Sequence, residues 1–558
     1  MTNNHKQATA GRLALSIYLI ASMVFAAPAF ADEKKKSKYD VGAEAGRPLR
    51  SPVTNALTSV GGAWSAQGPA PIYGGQSENI PGNPVTGAIN AVVAHPTSAD
   101  VLWIGSVNGG IWKTTNATND PPTWTSQTDG VGSLSISAMA IDPSDGTHNT
   151  LVAATGGVSS YYNFSGPRGR ILRTTNGGTS WTEFTPTALI GQTVTGVTVR
   201  GTTVLASVDD CASGLLRSTN SGSSFASVSG LPGGSGYDVI ADPASSTTYY
   251  AAVNDCSGTG FGGVYKSTNS GANWSRLSHT TINSQMSAAA NADLAIGASG
   301  SLYVGIVSNS NYRLSGIFRS TNGGTSWTQL DTPTTVDQGV TNGVHPGQQG
   351  YIHFSFGADP SNASIAYVGG DRQPSQFPSS IGAEDYSGRL FRVDASLSSG
   401  SQDTPLTHCD SAIAACNNVI STYSNSAPHA DSRNITFDAN GDLIEVDDGG
   451  VFRRTNPDGS GDWESLNGNL QITELHNIAW DRLSDIILGG SQDNGSSEQV
   501  GTGDTEWTIV DGGDGGDVSI DDTTSPSLST RYNSSQNLGS FRRRHVDSGN
   551  TVTAYAFP

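Results

Sequence analysis

Three groups of acidic side chains stand at the ends of short apolar runs, where loops begin. Asp371, Glu384 and Asp385 belong to a loop running from Gly370 to Gly388. Asp447 and Asp448 close the run Leu443-Ile444-Glu445-Val446, and Asp493, in Gln492-Asp493-Asn494, takes the same place one repeat later. Their chemistry is proton transfer. Cleavage of a glycosidic bond needs two carboxyls about 5–10 Å apart, one as acid and one as base or nucleophile. Loops on adjacent units of a repeat array can supply that separation. The candidate catalytic carboxyls are therefore Asp371, Glu384, Asp385, Asp447, Asp448 and Asp493. The ligand-binding candidates are aromatic and cationic: Tyr161, Tyr162, Phe164 and Arg168 in one loop, Tyr312 and Arg313 in another, and Arg372 and Tyr386 beside Phe377 in the loop of Asp371. Flat rings stack on sugar faces, and aromatic and guanidinium groups also anchor protein interfaces.

Other residues carry weaker signals. His345, His429 and Asp431 lack the spacing of a zinc site, and structural or solvated roles suit them better. Asp511-Gly512-Gly513-Asp514-Gly515-Gly516-Asp517 partly matches a calcium-binding glycine-rich repeat. It occurs once and places Ser519 where a large apolar residue belongs, so a tight turn between repeats is the better reading. No cofactor is expected, with calcium as the alternative. No Gly-x-Ser-x-Gly elbow occurs.

The elements that must position these loops are phased by a recurring turn. Thr174-Thr175-Asn176-Gly177-Gly178-Thr179-Ser180-Trp181 returns as Ser218 to Phe225, Ser267 to Trp274 and Ser320 to Trp327; the closing aromatics are about 44, 49 and 53 residues apart. Hydroxyl and amide side chains bond nearby backbone N–H groups, glycine takes the left-handed position, and the aromatic pins the turn to a core. Between the turns lie short apolar strands and Asp-Pro or His-Pro corners, the pattern of repeated antiparallel sheets. Nine such units can be counted from about Val85 to the C-terminus. Units of this length, stacked face to face, make a β-propeller.

The turn resembles the Asp-box, or BNR repeat, of sialidases, sortilin-type receptors and xyloglucan-cleaving glycoside hydrolases. Its consensus there is Ser/Thr-x-Asp-x-Gly-x-Thr/Ser-Trp/Phe. Asn176, Asn220, Asn269 and Asn322 replace the aspartate, which keeps an acceptor oxygen and removes the charge. The resemblance implies an all-β propeller of four-stranded antiparallel blades, with function on the face opposite the boxes. About 7–10 repeats in one large ring are expected, with two packed propellers as the alternative. Sialidase activity is disfavoured. That activity uses an arginine triad and an Arg-Ile-Pro motif. The motif is absent, and Arg173, Arg217, Arg319 and Arg453 stand directly before box turns or their equivalents.

Length, charge and the N-terminus bound the rest. The chain has 558 residues, Gly 69, charged residues at 14% and a formal net charge of −19, which argues against a nucleic-acid or anionic-membrane partner. Lys6 and Arg12, an apolar run to Ala27 and Ala29-Phe30-Ala31 read as a signal peptide over residues 1–31. A disordered lead over 32–59 and a propeller over 60–558 follow. Export permits disulfides. Cys211 and Cys256 occupy matching positions in adjacent repeats, and Cys409 and Cys416 close a short loop, so Cys211–Cys256 and Cys409–Cys416 are the predicted pairs. Together these features indicate a secreted, periplasmic or cell-surface propeller that binds a glycan or an extracellular protein. The alternative is a glycoside hydrolase acting on a polysaccharide.

Overall fold

The computed structural model describes residues 65–556, except 158, 160–165, 257, 259, 278, 414, 415 and 417–419. The expected signal peptide and lead, and the loop residues Tyr161, Tyr162 and Phe164, lie outside the described residues. The described chain is built almost wholly of antiparallel sheets, nine of them made from four consecutive strands, with one additional hairpin at Thr335–Asp337 and Val340–Asn342. We number these sheets one to nine in chain order.

Sheets one to seven close on themselves. Their first strands are Ile89–Ala94, Ile136–Ile141, Val194–Arg200, Gly236–Ala241, Ala289–Ile296, Ser355–Ala358 and Asn434–Phe437, and each packs against the next. The seventh returns to the first: the Val92 N–H donates to Asn434 Oδ1 at 3.2 Å, and Ile89, Val92 and Ile104 share one core with Ile444, Val446 and Val451. These strands surround a channel of about 570 Å3 that Asn90, Asp238, Asp293 and Arg433 line. The propeller expected from the repeats is present, and its ring closes at the seventh sheet rather than taking in all nine.

Sheets eight and nine pack on each other outside that ring. Val518 of the ninth joins Ile486 and Leu488 of the eighth in an apolar cluster. Beside it lies a fully buried ion network, in which Arg531 contacts Asp481 at 2.8 Å and Glu498 at 2.9 Å, and Arg544 reaches Glu498 at 2.9 Å. The Gly- and Pro-rich stretch before the first sheet supplies a fifth strand to sheet eight, since Ile72–Tyr73 pairs in parallel with Trp507 and Thr508. The stretch also bridges back to the ring, where Glu78 pairs with Ala427.

The four turns that phase the repeats have one geometry. In the first, Thr174 Oγ1 accepts from the Gly178 N–H at 3.1 Å and Asn176 Oδ1 accepts from the Ser180 N–H at 3.0 Å. The other three repeat these bonds within 0.2 Å. Asparagine suffices because the acceptor oxygen, not a charge, closes the turn. The cations before the turns stitch neighbours together: Lys113 donates to Gly177 O at 2.8 Å, Arg217 to Ser270 O at 2.7 Å and Lys266 to Gly323 O at 3.2 Å. Both predicted disulfides form, with Cα separations of 5.8 Å for Cys211–Cys256 and 5.7 Å for Cys409–Cys416.

Candidate functional site

In a four-stranded antiparallel blade, the loop entering the first strand and the loop after the second emerge at one end. The turn between the third and fourth emerges at the other. The box turns therefore occupy one face, and every group described next lies on the opposite one.

At this face, where sheets six and seven meet sheets eight and nine, carboxyls converge. His353 precedes the first strand of sheet six, and Asp431 and Arg433 precede that of sheet seven. Asp448 follows the second strand of sheet seven, and Asp493 follows that of sheet eight. His353 Nδ1 lies 2.9 Å from Asp431 Oδ1, and its Nε2 lies 3.3 Å from Asp448 Oδ2. Arg433 grips Asp448 in a fork, with Nε on Oδ1 and Nη2 on Oδ2 at 3.2 Å, while its Nη1 donates to Asn90 Oδ1 at 2.7 Å. The Asn494 amide donates to the Asp448 carbonyl at 2.9 Å, which ties sheet eight to this network. The backbone is bent to suit: Asp431 and Asp493 both hold left-handed conformations, with φ of 73° and 57°.

Charge in this pocket is unevenly compensated. Arg433 and His353 hold Asp448 far below the ordinary carboxylate range, against a large burial penalty. Asp493 goes the other way. Burial first, and then Asp448, Asp431 and Asp514, push its carboxyl well above the ordinary range. It is nevertheless partly open to solvent, whereas Asp448 is buried. Asp371 is raised too, by burial and then by Asp431. Neighbouring carboxyls are thus pushed in opposite directions, Asp448 down and Asp493 up, the division of labour that acid–base chemistry requires.

Among the described residues, His353, Asp431 and Asp448 offer ligand atoms that all lie within 4.8 Å of one another. A metal ion there would have to displace a ring proton and compete with the Arg433 fork. The trio reads more simply as a charged network than as a metal centre.

The sequence candidates divide. Asp371, Asp447, Asp448 and Asp493 lie in or against this cluster. Asp371 is fully buried and accepts from the Gln349 N–H at 3.1 Å, while its carbonyl accepts from the Asp431 N–H at 2.6 Å. Asp447 is also fully buried, beside Glu445. Burial raises both of these acids, and their mutual repulsion raises Asp447 further. Glu384 and Asp385 are exposed and are not brought into the cluster. The Glu384 N–H donates to Glu78 at 2.8 Å, and Asp385 accepts from the Tyr386 N–H at 2.7 Å.

The aromatic candidates form two platforms. Tyr312, 42% exposed, meets Tyr351 edge to face at 4.9 Å. Arg372 lies over Tyr386 at 4.5 Å, and Phe377 meets the same ring at 5.0 Å. Arg313 and Arg168 serve their own loops, donating to Pro346 O at 3.5 Å and Thr193 Oγ1 at 3.1 Å. His345 is structural: its Nδ1 accepts from the Leu314 N–H at 3.2 Å and its Nε2 donates to the His353 carbonyl at 2.9 Å. Burial lowers it to about 3. His429 is buried with Nδ1 on the Ala430 carbonyl at 2.9 Å. The glycine-rich run is the turn from sheet eight to sheet nine, and Asp514 within it accepts from the Asp493 N–H at 3.1 Å.

Sequence reasoning missed His353, Arg433 and Asp431 as site residues. Their signal was positional: they stand just before first strands, the end of the blade where the chosen acids also emerge.

No family model matches the chain, and no curated protein does. Solved structures do. A GH74 xyloglucanase from Xanthomonas campestris aligns with a TM-score of 0.60 at 16% identity, over 85% of this chain and 68% of its own. The GH74 enzyme of Niastella koreensis gives 0.57 at 18%, over 84% and 66%. An ancestral GH74 enzyme gives 0.57 at 15%, over 85% and 62%. The chain thus spans about two thirds of the length of these proteins. At such identities the likeness shows a shared propeller fold, and activity has to be argued from the site.

Proposed function

We propose that this is an exported glycoside hydrolase acting on a polysaccharide, with Asp493 as the acid and Asp431 as its partner carboxyl. The observation that carries the reading is the placement of Asp493, partly open to solvent after the second strand of sheet eight and set against Asp448 and Asp431, where burial and these neighbours push its carboxyl upward. A carboxyl raised in this way can give a proton to a glycosidic oxygen. The bond from the anomeric carbon to that oxygen then breaks. Asp431 serves as base toward water or as nucleophile, according to the carboxyl separation in the loaded site. Asp448 is unsuited to either role because Arg433 and His353 occupy its oxygens. The fold shared with a GH74 xyloglucanase supports a glycan as substrate. The two disulfides support export, and among the described residues no helix is long and apolar enough to cross a membrane.

A second reading is glycan binding without hydrolysis, favoured by the Tyr312–Tyr351 pair, with Tyr312 exposed, and by the half-buried Arg372–Tyr386 pair. A reducing-end assay on a panel of plant and microbial polysaccharides separates the two. Hydrolysis by the parent protein that falls at least about 100-fold in Asp493→Asn supports the enzyme. Retention of a polysaccharide on affinity gels without new reducing ends supports the binder.

A further inference from the structure

Resting on the hydrolase reading, we propose that His353 is a positioning residue, an imidazolium that holds the Asp431 carboxylate in place beside Asp493. The ring lies between two carboxylates, an arrangement that suits two ring protons. Nδ1 lies 2.9 Å from one carboxylate and Nε2 3.3 Å from another. A neutral ring has one N–H and would turn a lone pair toward one of them. Sheet seven presents the Asp431 and Asp448 carboxylates, which favour a charged ring, and Arg433, whose Nη2 lies 3.4 Å from Nε2 and opposes it. On the sixth sheet's own side, neutral His345 donates to the His353 carbonyl, and Asp371 accepts the Gln349 N–H. Asp493, from sheet eight, faces the same two carboxylates. Burial alone would strip the ring of its charge, yet the two aspartates raise it to about 9.

The arrangement gives His353 a definite task. Arg433 neutralises Asp448, and His353 joins that fixed pair to Asp431. The Asp431 side chain, 12% exposed, is the open end of the chain of charges. Fixing its rotamer keeps it near the acid, and the ring's charge compensates the carboxylate there.

Two measurements test this. In 15N-labelled parent protein, the ring resonances that vanish in His353→Gln should report both nitrogens protonated at pH 7 and one lost between about pH 8 and 10. A singly protonated ring at pH 7 overturns the proposal whether or not the variant folds. In turnover of the polysaccharide cleaved by the parent protein, His353→Gln should lower kcat about 10- to 100-fold with KM within about twofold. It should also move the acid limb of kcat/KM upward by about one pH unit. An unmoved limb, with only a loss of folded protein, overturns the positioning role and leaves the hydrolase reading standing. Absence of hydrolysis by the parent protein removes that reading and the role together.

Discussion

The two faces of the propeller are made by the same repeats and obey different rules. On the box face, four turns superpose bond for bond, close through neutral amides and hydroxyls, and are tied together by cations donating to carbonyls. On the opposite face, at the junction of sheets six to nine, aspartates that follow successive second strands crowd around one arginine and one imidazole, each of which a single sheet supplies. Periodicity marks what every blade needs in order to stack. Departure from it marks where the fold holds groups that stacking does not require. The box face closes its turns with neutral hydrogen bonds, whereas at this junction burial and neighbouring carboxylates push Asp493 well above the ordinary carboxylate range.

The sharpest way to break that contrast is to remove the acid. Asp493→Asn should cost at least about 100-fold in hydrolysis while leaving thermal stability unchanged or higher, since a buried repulsive carboxyl is lost. A parallel loss of folding would place Asp493 among the structural groups and erase the distinction between the faces.

Next in size is the buried fork. Arg433→Met leaves Asp448 charged, fully buried and facing His353 alone, and should destabilise the protein by about 3–5 kcal/mol in chemical denaturation. Adding Asp448→Asn to Arg433→Met should restore part of that loss. If the double variant is no more stable than the single one, the network is not a closed pair.

Glu445 sharpens the comparison through pH. It is fully buried beside Asp447, and burial raises it from an ordinary 4.5 to about 8. A carboxyl raised on folding contributes stability that is present below its unfolded value and lost as pH rises through the folded one. Melting temperature should therefore fall between about pH 5 and 9, and Glu445→Gln, which has no proton to lose, should flatten the fall. A variant whose melting temperature tracks the parent across that range would show Glu445 ionised throughout.

The same contrast explains how much was legible in the chain. The fold was readable because box turns, Asp-Pro corners and short apolar strands recur with a phase, and matching phases also paired Cys211 with Cys256 across two sheets. The choice of the loop face came from the resemblance to Asp-box propellers, once the phase had placed the boxes on the other one. Ring closure was not readable, because it depends on Asn434 and Val446 meeting Val92 and Ile104, contacts between residues about 340 apart that no local pattern encodes. Half of the site was legible as acids at strand ends. His353 and Arg433 were not, because their type is ordinary and only their convergence across blades gives them a role. Glu384 and Asp385 looked equivalent to Asp371 in the sequence. They differ in burial alone, which follows from where the Gly370 to Gly388 loop folds back on Glu78.

The smallest effect tests the box face itself. The fourth position of each turn is left-handed in all four copies, with φ of 66° at Gly177, 64° at Ser221, 59° at Ser270 and 65° at Gly323. Two copies place glycine there and two place serine, which bears a Cβ cost of about 1 kcal/mol in that conformation. The hydrogen bonds are the same in all four, so the serines bring no bond that offsets the cost. Ser221→Gly and Ser270→Gly should each stabilise the protein by up to about 1 kcal/mol, less the entropy glycine adds to the unfolded chain, and leave activity untouched. Separate sites on different blades should add. A destabilisation would mean that these hydroxyls hold a contact the turn geometry does not require, and that the box face is less uniform than its hydrogen bonds suggest.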